Sequence, residues 1–112
     1  MKIRSEYTCP LEVAHDIIKG KWTPVILYQI NHLGRASLSR LEKDINGISQ
    51  KMLLEHLKEL REFGLIDKKT FEGYPLKVEY FRTEDKGRKI IQALEILQDI
   101  GQEYINEADR KS

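Results

Sequence analysis

A chain of 112 residues with a formal charge of +1 has room for one modest core and little for a pocketed catalytic fold. No stretch approaches the roughly 20 apolar residues of a membrane span, and MKIRSEYTCP has no apolar run behind its two basic residues, so a cytoplasmic protein is expected. Cys9, the single cysteine, excludes an internal disulfide framework and a cysteine-rich zinc site. His15, His32 and His56 lack ligand spacing, so neither a metal nor a cofactor is expected.

The charge is unevenly spread. Arg35 to Lys89 holds 13 basic and 10 acidic residues, whereas Ile90 to Ser112 holds two basic and five acidic. A basic centre and an acidic end point to different partners for the two parts.

In chain order, the first predicted helix is CPLEVAHDIIKG, about residues 9–19, with Leu11, Ala14, Ile17 and Ile18 on one face and Gly20 as its stop. The second is KWTPVILYQINHLG: Thr23 is a candidate cap, Pro24 suits the first turn, and Val25, Ile26, Ile30 and Leu33 form the core stripe. A short third helix lies in SLSRLEKDINGI. Ser39 and Glu42 have capping-box spacing, Ser37 is a competing cap, and Leu38, Leu41 and Ile45 face inward. Asn46-Gly47 turns the chain into a fourth helix, about 49–63, capped by Ser49, with Leu53, Leu57 and Leu60 buried, Leu54 between its faces, and Gly64 at its end.

After Gly64 the period changes to alternation. LIDKKTFE and LKVEYFRT flank the turn cluster EGYP, which reads as a β-hairpin over about 65–83. A final helix from Gly87 to about Arg110 carries Ile90, Ile91, Leu94, Leu97, Ile100, Tyr104 and Ile105. That stripe is broader than a peripheral helix needs.

A short helix, a tight turn, an amphipathic helix and a two-stranded ribbon make a helix-turn-helix with a wing. The fold class is therefore mainly α with a small β-hairpin: a single domain over 1–112, its DNA-binding core at about 21–86 and candidate dimerisation helices at about 9–19 and 87–110. A helix that enters the major groove needs an apolar underside and a polar, partly basic outer face at its N-terminal end. Ser49, Gln50, Lys51, Leu54 and Lys58 supply that face. Lys68, Lys69 and Lys77 on the wing, with Arg35, are candidates for the flanking backbone, where they would add a salt-dependent share of affinity. Each has an ordinary counterpart: Ser49 as a plain cap, the lysines as solvated surface or edge protection. No Ser-His-Asp set, glycine-rich phosphate loop or paired carboxylate in a cleft is legible, which argues against an enzyme. A rival reading is a winged-helix adaptor that binds protein without specific DNA binding.

GKW at Gly20–Trp22, INGISQKML at Ile45–Leu53, LKELREFGLI at Leu57–Ile66 and PLKVEY at Pro75–Tyr80 resemble the HxlR-type winged-helix transcriptional regulators, relatives of the MarR group. The resemblance spans about Cys9 to Ile100. It implies a homodimeric bacterial regulator of double-stranded DNA whose first and last helices form the dimer interface, here through Leu11, Leu94, Leu97, Ile100 and Tyr104. Three departures stand out: Ser37-Leu38 where the family usually has Arg-Phe, Arg82 with a lengthened step to Gly87, and His56 where arginine is frequent. Several members carry a cysteine just before the first helix and use it to sense oxidants or electrophiles, and Cys9 occupies that place. A helix N-terminus favours thiolate, and Lys2 or Arg4 would add to this. With one cysteine per chain, the products are a disulfide across a dimer or a mixed disulfide with a small thiol; the ordinary reading is a packing residue between subunits. A small-molecule effector fits the same scheme, with Tyr7, Trp22, Tyr28 and Tyr104 as pocket candidates, although Trp22 is equally a core anchor.

Overall fold

The computed structural model describes residues 6 and 9–111; Lys2, Arg4 and Tyr7, named above around Cys9 and the effector pocket, lie outside them. Pro10 opens α1 (Pro10–Ile18), a position whose N–H would lack a helical partner in any case. No residue of α1 is fully buried. Ile17 packs against the edge of the core, while Leu11 is 76% exposed.

Helix α2 (Trp22–Leu33) starts before Thr23, which is therefore not its cap but a buried residue within it. Ile26, Leu27 and Ile30 are wholly buried, with Leu33 packed beside them. Val25, expected in that stripe, is exposed. The run Val25-Ile26-Leu27 is apolar throughout, so period alone cannot choose among them; the helix turns Leu27 inward and leaves Val25 on a groove facing the last helix. Gly34 closes α2, donating its N–H to the Ile30 and Asn31 carbonyls at 2.9 and 3.3 Å.

The expected hairpin is a three-stranded antiparallel sheet. Strand β1 (Ala36–Ser37) pairs with β3 (Lys77–Arg82), whose other edge pairs with β2 (Ile66–Phe71), giving the order β1-β3-β2. Ala36 lies opposite Tyr80 and Ser37 opposite Glu79. This pairing holds Ser37 extended, the conformation an N-cap requires, and its Oγ accepts the Arg40 N–H at 3.2 Å. Ser37 thus caps α3 (Leu38–Asp44), and Ser39, the other candidate, lies inside the helix.

Helix α4 (Gln50–Glu62) is capped by Ser49, whose Oγ accepts the Met52 N–H at 3.2 Å. Leu53, Leu57 and Leu60 are buried beneath it, in one cluster with Leu41, Ile45, Ile66 and Ile26. Just past its end Gly64 adopts φ +75°, a region that side chains with a Cβ avoid.

Helix α5 (Lys86–Lys111) begins one residue before Gly87. Thr83 fastens this end: its hydroxyl donates to the Gly64 carbonyl at 2.7 Å and accepts the Gly87 N–H at 2.8 Å. The lengthened step between Thr83 and Gly87 is thereby accommodated. Gly87 and Ile91 are buried and Leu94 packs on the core, but every residue from 95 to 111 is exposed. No helix among the described residues is long and apolar enough to cross a membrane.

Candidate nucleic-acid interface

The buried leucines of α4 orient the rest of the helix. With Leu53, Leu57 and Leu60 turned inward, Ser49, Gln50, Lys51, Leu54 and Lys58 are all exposed. The first turn carries no acidic residue, so nothing there opposes the partial positive charge of the helix N-terminus. Met52 also reaches solvent, at 39% exposure beside Leu54 at 43%. It is not among the residues expected on that face, and its unbranched thioether makes an adaptable apolar surface there.

On the wing, Lys68 lies opposite Tyr80 and Lys69 opposite Glu79. Successive strand residues point to opposite faces, so these two lysines belong to different faces of the sheet. Lys69 places its ammonium 5.3 Å from the Phe71 ring centroid, and Lys77 lies 3.6 Å from the Glu79 carboxylate. The Arg35 guanidinium sits 5.8 Å from the centre of Phe81, a distance at which a cation is attracted to the ring face.

Arg35 and Lys77, distant in sequence, line one open cleft of about 520 Å³ between α3 and the sheet. Arg40 and Lys43, not singled out from sequence, line it too. Arg40 Nε donates to the Asp44 carboxylate at 2.7 Å, and Gln29 Nε2 donates to the same oxygen at 2.9 Å. The bond from Arg40 chiefly holds the Asp44 carboxyl below its ordinary range.

Two further ties set the wing against the helices. Arg82 Nη1 donates to Asn31 Oδ1 at 2.9 Å, joining β3 to α2. Arg61 lies 3.7 Å from Asp67, joining the end of α4 to β2.

Away from this surface, Cys9 is a free, exposed thiol at the N-cap position of α1, with extended backbone. Its carbonyl accepts the Glu12 N–H at 3.0 Å. Of the residues expected at a dimer interface, Leu11, Leu97, Ile100 and Tyr104 are exposed, whereas Leu94 is partly taken up by the core. Tyr28 lines an apolar groove of about 650 Å³ with Val25, Ile91 and Leu94. Trp22 and Tyr104 do not line it; Trp22 packs against the core with the Lys21 ammonium 4.6 Å above its ring. Among the described residues no group of three or more His, Cys, Asp or Glu side chains is placed to hold a metal.

The family model for HxlR-like helix-turn-helix proteins matches residues 17–109. The chain belongs to that family. This HxlR-like chain is 36% identical over 100 residues to the regulatory protein MalR of Fusobacterium mortiferum, covering 89% of this chain and 93% of MalR. Its fold is similar to the reduced form of the redox regulator HypR, with a TM-score of 0.82 at 26% identity over 91% of this chain and 99% of HypR. Diamide-treated YodB of Bacillus subtilis gives a TM-score of 0.72 at 28% identity, over 88% of this chain and 97% of YodB. Like its relatives, the HxlR-like chain is a winged-helix transcriptional regulator of the helix-turn-helix type, not an enzyme.

Proposed function

We propose that the protein acts in the cytoplasm as a homodimer on a pseudo-palindromic operator, with α4 in the major groove and the wing on flanking backbone. The observation that carries this reading is the N-terminal face of α4: Ser49, Gln50 and Lys51 are exposed, with no acid in the first turn, and held outward by three buried leucines. Such a face offers hydrogen-bonding groups to base edges, and the helix end favours a phosphate. The dimer is supported by α5, whose exposed Leu97, Ile100, Tyr104 and Ile105 form a stripe costly to leave in water. Palindromic half-sites match a two-fold protein.

Cys9 is the proposed sensor. HypR has been solved in reduced and oxidised forms and YodB after diamide treatment, and the thiol of this chain is exposed and has no second cysteine in its own chain to pair with. Two Cys9 thiols of a dimer would give up two electrons and two protons to diamide, leaving a disulfide and the reduced hydrazine.

Fluorescence anisotropy tests the DNA reading: the protein is titrated into a labelled duplex from upstream of its own gene and into a scrambled duplex, at several salt concentrations. Tight binding to the first alone, weakening steeply with salt, is expected. Equal weak binding to both would turn the search to protein partners.

A further inference from the structure

Four cationic side chains meet in the cleft between α3 and the sheet: Arg35 just before β1, Arg40 and Lys43 on α3, and Lys77 on β3. The hydroxyls of Ser37 and Ser39, 3.2 Å apart, line the same cleft. We propose that this cleft is a seat for a phosphate oxyanion, esterified in the DNA backbone or free.

The charge balance points to an anion. Glu79 is the one carboxylate among the lining residues, and Lys77 already lies 3.6 Å from it. Arg40 is held by Asp44, but an exposed pair one helical turn apart is a weak restraint, and a guanidinium keeps further donors for a second acceptor. The Arg35 guanidinium lies 5.8 Å from the centre of the Phe81 ring, a contact that uses none of its N–H donors, and Arg35 also lines the cleft. Cations crowded without a matching number of anions repel one another, and a bound oxyanion relieves that repulsion. The hydroxyls add donors of the kind that phosphate oxygens accept. The cleft is open and about 520 Å³, so a group on a polymer backbone can enter as readily as a free ion. Leu33 is the one apolar side chain among the lining residues.

The assignment of the occupant as a DNA phosphate rests on the proposed function; the assignment of phosphate chemistry does not. Two measurements separate them. In the first, operator affinity is followed by fluorescence anisotropy across a salt series for the wild type, Lys43→Gln, the Arg40→Gln/Lys43→Gln pair, and Lys89→Gln as a control on α5. Loss of one phosphate contact flattens the slope of log affinity against log salt by about 0.9, so with one seat in each half of the proposed dimer the pair should lose about two units and the single variant a part of that, with the control unchanged. Thermal melting of each variant reports folding, and Lys43→Gln, which breaks no hydrogen bond of the α3 scaffold, stands if the Arg40 change proves disruptive. In the second, inorganic phosphate is titrated into isotopically labelled protein, and the amide resonances of Ser39 and Arg40 are followed in the wild type and in Lys43→Gln. A flattened salt slope identifies a backbone phosphate as the occupant, and a saturable amide shift lost in Lys43→Gln identifies free phosphate. Unchanged slopes together with no saturable shift overturn the seat. If the wild type binds its operator specifically while the variants keep its slope and phosphate causes no shift, the cleft assignment falls and the proposed function stands.

Discussion

Lys51 shows how a residue's setting decides its role. It stands in the first turn of α4, exposed, with no acid beside it in that turn, so its charge is available to DNA while contributing little to the fold. Lys51→Ala should weaken operator binding several-fold and leave the melting temperature within about 3 °C, since surface changes away from packed features stay near ±0.5 kcal/mol. Anisotropy beside a thermal melt checks both halves, and equal affinity in the two proteins would remove Lys51 from the interface. Cys9 is a second single-residue case. Its thiol is exposed at the N-cap of α1, outside α4 and the wing, so Cys9→Ser should bind operator like the wild type under reducing conditions. After diamide, the wild type alone should change affinity; a variant that still responds would exclude the thiol as sensor.

At the scale of elements, the junction of α4, β2 and α5 hangs on a glycine. A Cβ at Gly87 would overlap the Leu65 carbonyl oxygen and lie 2.7 Å from Thr83 Oγ1, in the contact that fixes the start of α5. Gly87→Ala should destabilise the protein by about 1–3 kcal/mol, the usual cost of overpacking, seen as a lower urea midpoint; a midpoint equal to the wild type would show that the junction is slack. The elements themselves were largely legible, because Leu53, Leu57 and Leu60 declare a 3.6-residue period and the hairpin declares alternation. What escaped was set by tertiary pairing. A strand of two residues, β1, has no pattern to read, yet its pairing with β3 is what makes Ser37 rather than Ser39 the cap of α3. For the same reason, recognition-helix candidates could be read from one helix, whereas the cationic cleft could not: Arg35, Arg40, Lys43 and Lys77 become neighbours only when β3 folds back beside α3.

At the scale of the whole molecule, α5 is the feature that the single chain leaves unexplained. Its 26 residues extend about 39 Å at 1.5 Å per residue, and from residue 95 onward every one is exposed. An isolated helix of that remaining length is marginal in water and depends on packing of its apolar face. Leu97, Ile100 and Tyr104 lie on one side of it, at 55%, 46% and 69% exposure, and none is needed by the core of this chain. A second copy would bury them, and would also set two α4 helices a fixed distance apart, as half-sites one DNA turn apart, about 34 Å, demand. Replacing both Leu97 and Ile100 by Asp places two charges on that stripe without touching the core. Light scattering coupled to size exclusion should then report the 13.1 kDa chain mass where the wild type reports twice that value. Gln102→Asp, exposed and roughly 140° or more round α5 from Leu97, Ile100 and Tyr104, should remain dimeric. The monomeric variant should keep its far-UV spectrum over the winged core and bind a two-half-site operator no better than a single half-site, because each recognition helix then binds alone. A wild type that already runs at the chain mass, or a double variant that still runs at twice it, would assign the stripe to some other partner and detach the palindromic operator from the fold.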